Sequence, residues 1–178
     1  QLREKDLPAR EILAMSYRMR ELTSGYRVKL FINDRTDIAL CARADGVHLG
    51  QESMPVYAVR KLAGVGFIIG VSTHNLKEAH LAEKEGADFI TFGPLYQTPS
   101  KLKYGAPVGV GELSKIAGEI GIPVFGIGGV SAETINAVMK SGAHGIAVIS
   151  GILGEYDTRR AAQCYLEQVG ETGLRGGL

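Results

Sequence analysis

The 178-residue chain carries 20 Lys and Arg against 19 Asp and Glu, a formal net charge of +1, and is 45% hydrophobic. That balance fits one soluble globular domain and excludes a global basic field for nucleic acid or a membrane surface, so any anion has to be met by local groups. No apolar run approaches the roughly 18 residues of a spanning helix, no signal peptide heads the chain, and Cys41 and Cys164 lack metal-ligand spacing, as expected of reduced thiols in a cytoplasmic protein.

In chain order, Gln1-Leu2-Arg3 reads as the remnant of a strand. Residues 8–23 place Ile12, Leu13, Met15, Met19 and Leu22 at helical spacing behind Pro8, where a missing N–H costs nothing. VKLFIND is a short buried strand ending at Asn33 and Asp34, and a helical stretch over 36–43 leads to the strand GVHLG. PVYAVRKLA reads as helix, GFIIGVS as strand, and NLKEAHLAEKEGA as helix with a glycine stop near Gly86. DFITFG, a helix over 110–119, IPVFGIGG, the helix SAETINAVMKSGA, GIAVIS and a helix over 156–169 complete the order. The strands are continuous apolar runs, which is the mark of parallel strands covered by helices.

Seven such strands, with no dinucleotide fingerprint, favour a (β/α)8 TIM barrel lacking its first βα unit over a doubly wound sheet. The barrel is expected to form a single domain over residues 1–169, with GETGLRGGL at 170–178 a frayed tail. In a barrel, chemistry gathers at the C-terminal ends of the strands. Those ends here read QLREK, NDR, HLGQES, VSTH, GPLYQTPSK, GIGG and ISG.

Arg3, Lys5 and Lys101, together with Asn33, Ser72 and Ser100, supply cations and neutral donors of the kind a phosphate or diphosphate needs. Each cation taken alone is more often a solvated surface charge; their shared position after strands favours an anion site. GIGG at 126–129 and ISG at 149–151 either serve tight turns or offer backbone N–H groups to a second phosphate. Asp34 is either a helix cap or a ligand for Mg²⁺ beside a diphosphate, with Glu52 the nearest second carboxylate. His48 reads as a hydrogen-bonded core or rim histidine, and His74 as either a cap partner or a substrate contact. No Ser/His/Asp order or His/Cys cluster supports a hydrolase or a zinc enzyme.

QLREK, FINDR, ADGVHLGQE, IGVSTH, FGPLYQTPSK, PVFGIGGV and GIAVISGI resemble, in order and spacing, the motifs of the thiamin phosphate synthase and TenI family, from Gln1 to about Val169. The resemblance implies a transferase of thiamine biosynthesis that condenses a hydroxymethylpyrimidine diphosphate with a thiazole phosphate. It would release pyrophosphate through a carbocation-like transition state. Carried over by position, Gln1, Arg3, Lys5, Asn33, Ser72 and Lys101 would hold the pyrimidine diphosphate and Asp34 would bind Mg²⁺. Thr98, Ser100, Gly129, Ile149 and Ser150 would meet the thiazole phosphate. The partners implied are these small molecules, with no nucleic acid and no membrane, and a homodimer is compatible with the family.

Three departures bear on that expectation. GQES stands where the synthase usually has GQED, so Ser53 occupies the position of a second Mg²⁺ carboxylate. Pro94 stands where the TenI tautomerase has a catalytic histidine, and proline can neither donate nor accept a proton. The family barrel also has a strand and helix before QLREK; with Gln1 as the first residue, a truncation that leaves two unpaired sheet edges and poor solubility is the expectation. A TenI-like tautomerase and a non-catalytic barrel that binds a phosphorylated ligand are the alternatives.

Overall fold

The computed structural model describes residues 1–26, 28–98 and 106–171. Two compact units emerge, one of Gln1–Ser72 with Lys84–Asp88, the other of Thr73–Glu83 with the described part of Phe89–Leu178.

The first unit runs α1 (Ala9–Ser24), β1 (Phe31–Asn33), α2 (Thr36–Cys41), β2 (Gly46–Leu49), α3 (Val56–Ala63) and β3 (Ile68–Thr73), the last residue of which belongs to the second unit. β1 pairs with β2 in parallel, Asn33 opposite His48, and β2 with β3, His48 opposite Gly70. The strand predicted at Gln1 is present as a single parallel bridge, Leu2 to Ile32, closed by Leu2 N–H to the Phe31 carbonyl and Asn33 N–H to the Leu2 carbonyl, both 2.9 Å. Every residue of β2 is buried, as expected of a parallel strand flanked by two others. The apolar stripe of α1 is only partly covered: Ile12 is buried but Leu22 is 66% exposed. At 1.5 Å per residue, six-residue α2 is far too short to shield a sixteen-residue neighbour.

Two aspartates pin the strand starts of this unit in the same way. Asp45 accepts from Leu30 N–H at 2.7 Å and from the Arg20 guanidinium at 2.6 Å. Asp88 accepts from Ile69 N–H at 2.6 Å and from Arg60 at 2.6 Å, while Arg60 also donates to the Phe67 carbonyl. Each carboxylate thus ties the preceding strand to a helix arginine, and the signal is in the sequence as Ala-Asp before a strand, at ADGVHL and ADFITF. Charge-assisted bonds of this kind contribute about 1.5–3 kcal/mol when shielded and less where water competes.

The second unit runs α4 (Leu76–Lys84, its last residue in the first unit), β4 (Phe89–Phe92), α5 (Gly109–Glu119), β5 (Val124–Ile127), α6 (Ile135–Lys140), β6 (Gly145–Ala147), α7 (Ser150–Leu153) and α8 (Thr158–Glu171). β4 pairs in parallel with β5, Phe92 opposite Gly126, and β5 with β6, Ile127 opposite Ala147. Six strands and the Leu2 bridge reproduce the predicted βα alternation.

Three of the differences from the expected boundaries are informative. The helix expected over 131–143 begins only at Ile135, because Thr134 Oγ1 accepts the Ser131 N–H at 2.9 Å and donates to the Ser131 carbonyl at 3.1 Å, holding a turn there instead. The four-residue α7 follows β6 and was not expected, being too short to show a period. α8 extends through Glu171, past the 169 boundary, so the tail expected from residue 170 is helical for its first two residues. Among the described residues no helix is long and apolar enough to cross a membrane.

Candidate functional site

The C-terminal strand ends of the first unit present a row of polar side chains. Residues opposite one another in parallel strands, and residues two apart, face the same side of a sheet. Asn33, His48 and Ser72 therefore share a face, through the Asn33–His48 and His48–Gly70 register. Gln1 Nε2 donates to Asn33 Oδ1 at 3.0 Å, and His48 Nε2 lies 2.9 Å from Ser72 Oγ. His48 is only 4% exposed, so the rim-histidine reading holds, and its imidazole orients the Ser72 hydroxyl. Gln51 Nε2 donates to the Ser72 carbonyl at 2.5 Å, fixing the same residue from its backbone. Arg3 and Lys5 are exposed on the segment that leaves the Leu2 bridge.

Asp34 sits in the left-handed region at φ 65°, a conformation uncommon for residues other than glycine. Its N–H donates to the His48 carbonyl at 2.8 Å and its carbonyl accepts Thr36 N–H at 2.9 Å, so the backbone is held on both sides. The cap position of α2 belongs to Arg35, and no side chain caps it; the cap role left open for Asp34 is not the one it takes, and its carboxylate is exposed. Ser53 Oγ accepts the Gly50 N–H at 2.7 Å, closing the loop after β2 on itself. Glu52 is exposed in that loop. Among the described residues no group of three or more His, Cys, Asp or Glu gathers into a metal cage.

The second unit builds its strand ends from backbone. Gly93 N–H donates to the Thr73 carbonyl at 3.3 Å, Leu95 N–H to Ile127 at 2.9 Å and Tyr96 N–H to Gly128 at 2.9 Å. A side chain on Gly93 would place its Cβ 2.0 Å from the Ile127 carbonyl oxygen, so only glycine fits. Gly129, at φ 66°, is held against the Gln97 carbonyl and Tyr96, where an added Cβ would come within 2.8 Å of each. Pro94 is buried after a cis peptide, and its carbonyl accepts Val108 N–H at 2.9 Å.

Of the remaining predicted residues, Thr98 is half-buried beyond this segment, Ile149 is 56% exposed, and Ser150 opens α7 at the surface. Ser100 and Lys101 lie outside the described residues. His74 serves as cap partner: its N–H donates to Glu78 Oε2 at 2.8 Å and Nδ1 lies 3.1 Å from the same oxygen, while Asn75 Oδ1 accepts the Glu78 N–H at 3.0 Å. The sequence reading missed Gln51, whose place in the HLGQES strand end was the available signal. It also missed Tyr165, whose hydroxyl donates to the Val130 carbonyl at 3.1 Å. Burial, with Glu133 nearby, pushes the Tyr165 phenol above its ordinary pKa, so it stays a donor through neutral pH.

The first unit offers amide, hydroxyl and ammonium donors, with the His48 imidazole against the Ser72 hydroxyl, and the second unit, by itself, offers closely fitted glycine backbone. Such groups are suited to holding phosphorylated ligands. A family model described as thiamine monophosphate synthase matches residues 1–152. A Geobacter sulfurreducens protein that carries the thiamine-phosphate synthase name provisionally is 52% identical over 166 residues, covering 93% of this chain and 78% of the relative. The thiamine-phosphate synthase of Moorella thermoacetica is 43% identical over 169 residues, 95% of this chain and 80% of the relative. A solved structure, the thiamine phosphate pyrophosphorylase from Pyrococcus furiosus, superposes with a TM-score of 0.89 at 38% identity, covering 95% of this chain and 81% of that one.

Proposed function

The chain belongs to the thiamine monophosphate synthase family, and we propose that it condenses hydroxymethylpyrimidine diphosphate with a thiazole phosphate to give thiamin phosphate and pyrophosphate. The observation that carries the reading beyond family membership is the polar row Gln1, Asn33, His48 and Ser72 at the strand ends of the first unit. In the reaction the bond between the pyrimidine methylene carbon and the diphosphate oxygen breaks, and the diphosphate leaves with the electron pair. The thiazole nitrogen lone pair then forms the new C–N bond. No proton has to move for either event, so hydrogen-bond donors aimed at the leaving diphosphate are the groups the step needs most.

The amide of Asn33, the hydroxyl of Ser72 and the side chain of Gln1 would donate to the diphosphate, and Arg3, Lys5 and Lys101 would balance its charge. Donors fixed before the charge develops stabilise the departing group without reorganisation, and each is worth on the order of a hundredfold in rate. His48 would act through Ser72 by holding its hydroxyl. Thr98, Ser100, Gly129, Ile149 and Ser150 would position the thiazole phosphate, and with it the attacking nitrogen.

Asp34 fits a Mg²⁺ shared with the substrate, because this ion is commonly bound through one or two carboxylates, waters and phosphate oxygens. Ser53 is a weaker ligand than the carboxylate usual at its position, since its neutral hydroxyl, which also accepts the Gly50 N–H, brings no charge to the ion. Bound there, Mg²⁺ would neutralise charge on the diphosphate. The cytoplasmic setting belongs to the proposal and is supported by Cys41 and Cys164 being free and exposed, a state that persists in reducing compartments; the homodimer rests on the family resemblance alone.

The test is a discontinuous assay with both substrates and Mg²⁺, in which product is oxidised to fluorescent thiochrome phosphate, run on this chain and on Ser53→Asp. Product from the unaltered chain is the expected result. Product from neither protein, with both folded by circular dichroism, would sink the proposal.

A further inference from the structure

Tyr165 is the one side chain on α8 that is buried, at 8% exposure, among the described residues of that helix. Its ring meets two loops at once. The hydroxyl donates to the Val130 carbonyl at 3.1 Å. On the other side, a Cβ added to Gly151 would lie 2.2 Å from the Tyr165 hydroxyl oxygen and 3.0 Å from Cζ, so the ring lies directly on the Gly151 backbone. Val130 follows Gly129, and Gly151 follows Ser150. These are the two loops to which the proposal above assigns the thiazole phosphate.

We propose that Tyr165 is a positioning residue for that phosphate: one phenol fixes the separation between the Gly129 and Ser150 loops without touching the ligand. The inference rests on the assignment of those two loops to the thiazole phosphate. Gly129 is itself packed against the Gln97 carbonyl and Tyr96, and Tyr165 adds a restraint on the next residue, Val130. A phosphate bound by several donors from two loops is sensitive to their spacing, because its hydrogen bonds weaken within a few tenths of an ångström.

Tyr165→Phe keeps the ring and deletes only the donor. Calorimetric titration of the full chain with hydroxyethylthiazole phosphate and with unphosphorylated hydroxyethylthiazole reads the phosphate's share of affinity directly. The variant should lose about tenfold in affinity for the phosphorylated compound and almost nothing for the alcohol. In turnover, KM for the thiazole phosphate should rise by a similar factor while KM for the pyrimidine diphosphate stays put. Gly151→Ala should act in the same direction by displacing the hydroxyl. In the Tyr165→Phe background, where the atom it strikes is gone, Gly151→Ala should cost less than it does alone.

Equal losses for both thiazoles, equal rises in both KM values, an unchanged Tyr165→Phe, or an unaltered chain with no preference for the phosphorylated thiazole would each overturn the inference. A chain that prefers the phosphorylated thiazole yet makes no thiamin phosphate would instead count against the synthase reading, and the titration would still decide the role of Tyr165.

Discussion

The strand ends of the two units are built from different materials. The first unit presents side chains: Gln1 bonded to Asn33, and His48 beside Ser72. The second presents backbone, with Gly93, Gly128 and Gly129 so close to neighbouring chain that a Cβ at any of them would come within 2.8 Å of another residue. A site made of side chains can lose one function while its scaffold stands. A site made of backbone is itself scaffold, and the same change removes both.

The largest effect that would separate the two is Gly93→Ala. Its methyl group would meet the Ile127 carbonyl oxygen at 2.0 Å, a backbone atom that cannot swing away. The cost should reach about 3–5 kcal/mol, by overpacking and the loss of local hydrogen bonds, and thermal melting followed by circular dichroism should show a drop of roughly 10 °C or more. A variant that melts with the unaltered chain would break the comparison at its strongest point.

Next come Asn33→Ala and Ser72→Ala in the first unit. Each should lower kcat/KM by about a hundredfold while shifting the melting temperature by only a few degrees, because the lost bonds lie at strand ends and not in the ladder. If either variant unfolds as Gly93→Ala is expected to, the distinction between the units fails.

Asp45→Asn probes the side-chain bonds that hold the first unit together. Burial works against ionisation of Asp45, but the Leu30 N–H and the Arg20 guanidinium outweigh it and hold the carboxyl below its ordinary value of 3.8. A group whose pKa is depressed on folding contributes stability above its unfolded value and loses it as pH falls through the folded value. The unaltered chain should therefore exceed Asp45→Asn by about 1 kcal/mol at neutral pH, a figure kept small by partial exposure. The gap should close as the pH falls below the ordinary carboxyl range. Urea titrations at neutral and acid pH measure it, and a gap that widens in acid would reverse the assignment.

The smallest expected change is Ser53→Asp, which should lower the Mg²⁺ concentration needed for half-maximal rate by a few-fold by placing a carboxylate where the family usually has its second metal ligand. A Mg²⁺ titration of initial rate checks it, and an unchanged requirement would detach position 53 from the metal.

The sequence displayed the two units unequally as well. Strands such as GVHLG and DFITFG were legible because an unbroken apolar run bounded by glycine and polar residues has few other readings. Asn33 and Ser72 could be singled out because each ends such a strand, whereas Gln1 came only from the family resemblance; the structure bonds Gln1 to Asn33. What the sequence left open were the choices between equivalent roles: Asp34 as cap or ligand, and His74 as cap or contact. Those depend on φ and on which acceptor is nearest, and neither is written in residue type. Tyr165 stayed invisible because its partners, Val130 and Gly151, become its neighbours only when α8 packs on α6 and α7, and a tyrosine on a largely exposed helix looks like any surface aromatic. Ser100 and Lys101, central to the sequence argument, lie outside the described residues.

The most direct test of the synthase reading is to mix the full chain with hydroxymethylpyrimidine diphosphate, thiazole phosphate and Mg²⁺, and to quantify pyrophosphate and thiamin phosphate in the same sample. Equal amounts of the two, with neither formed when one substrate is omitted, are expected. Pyrophosphate without thiamin phosphate, or neither product from a folded chain, would contradict the account.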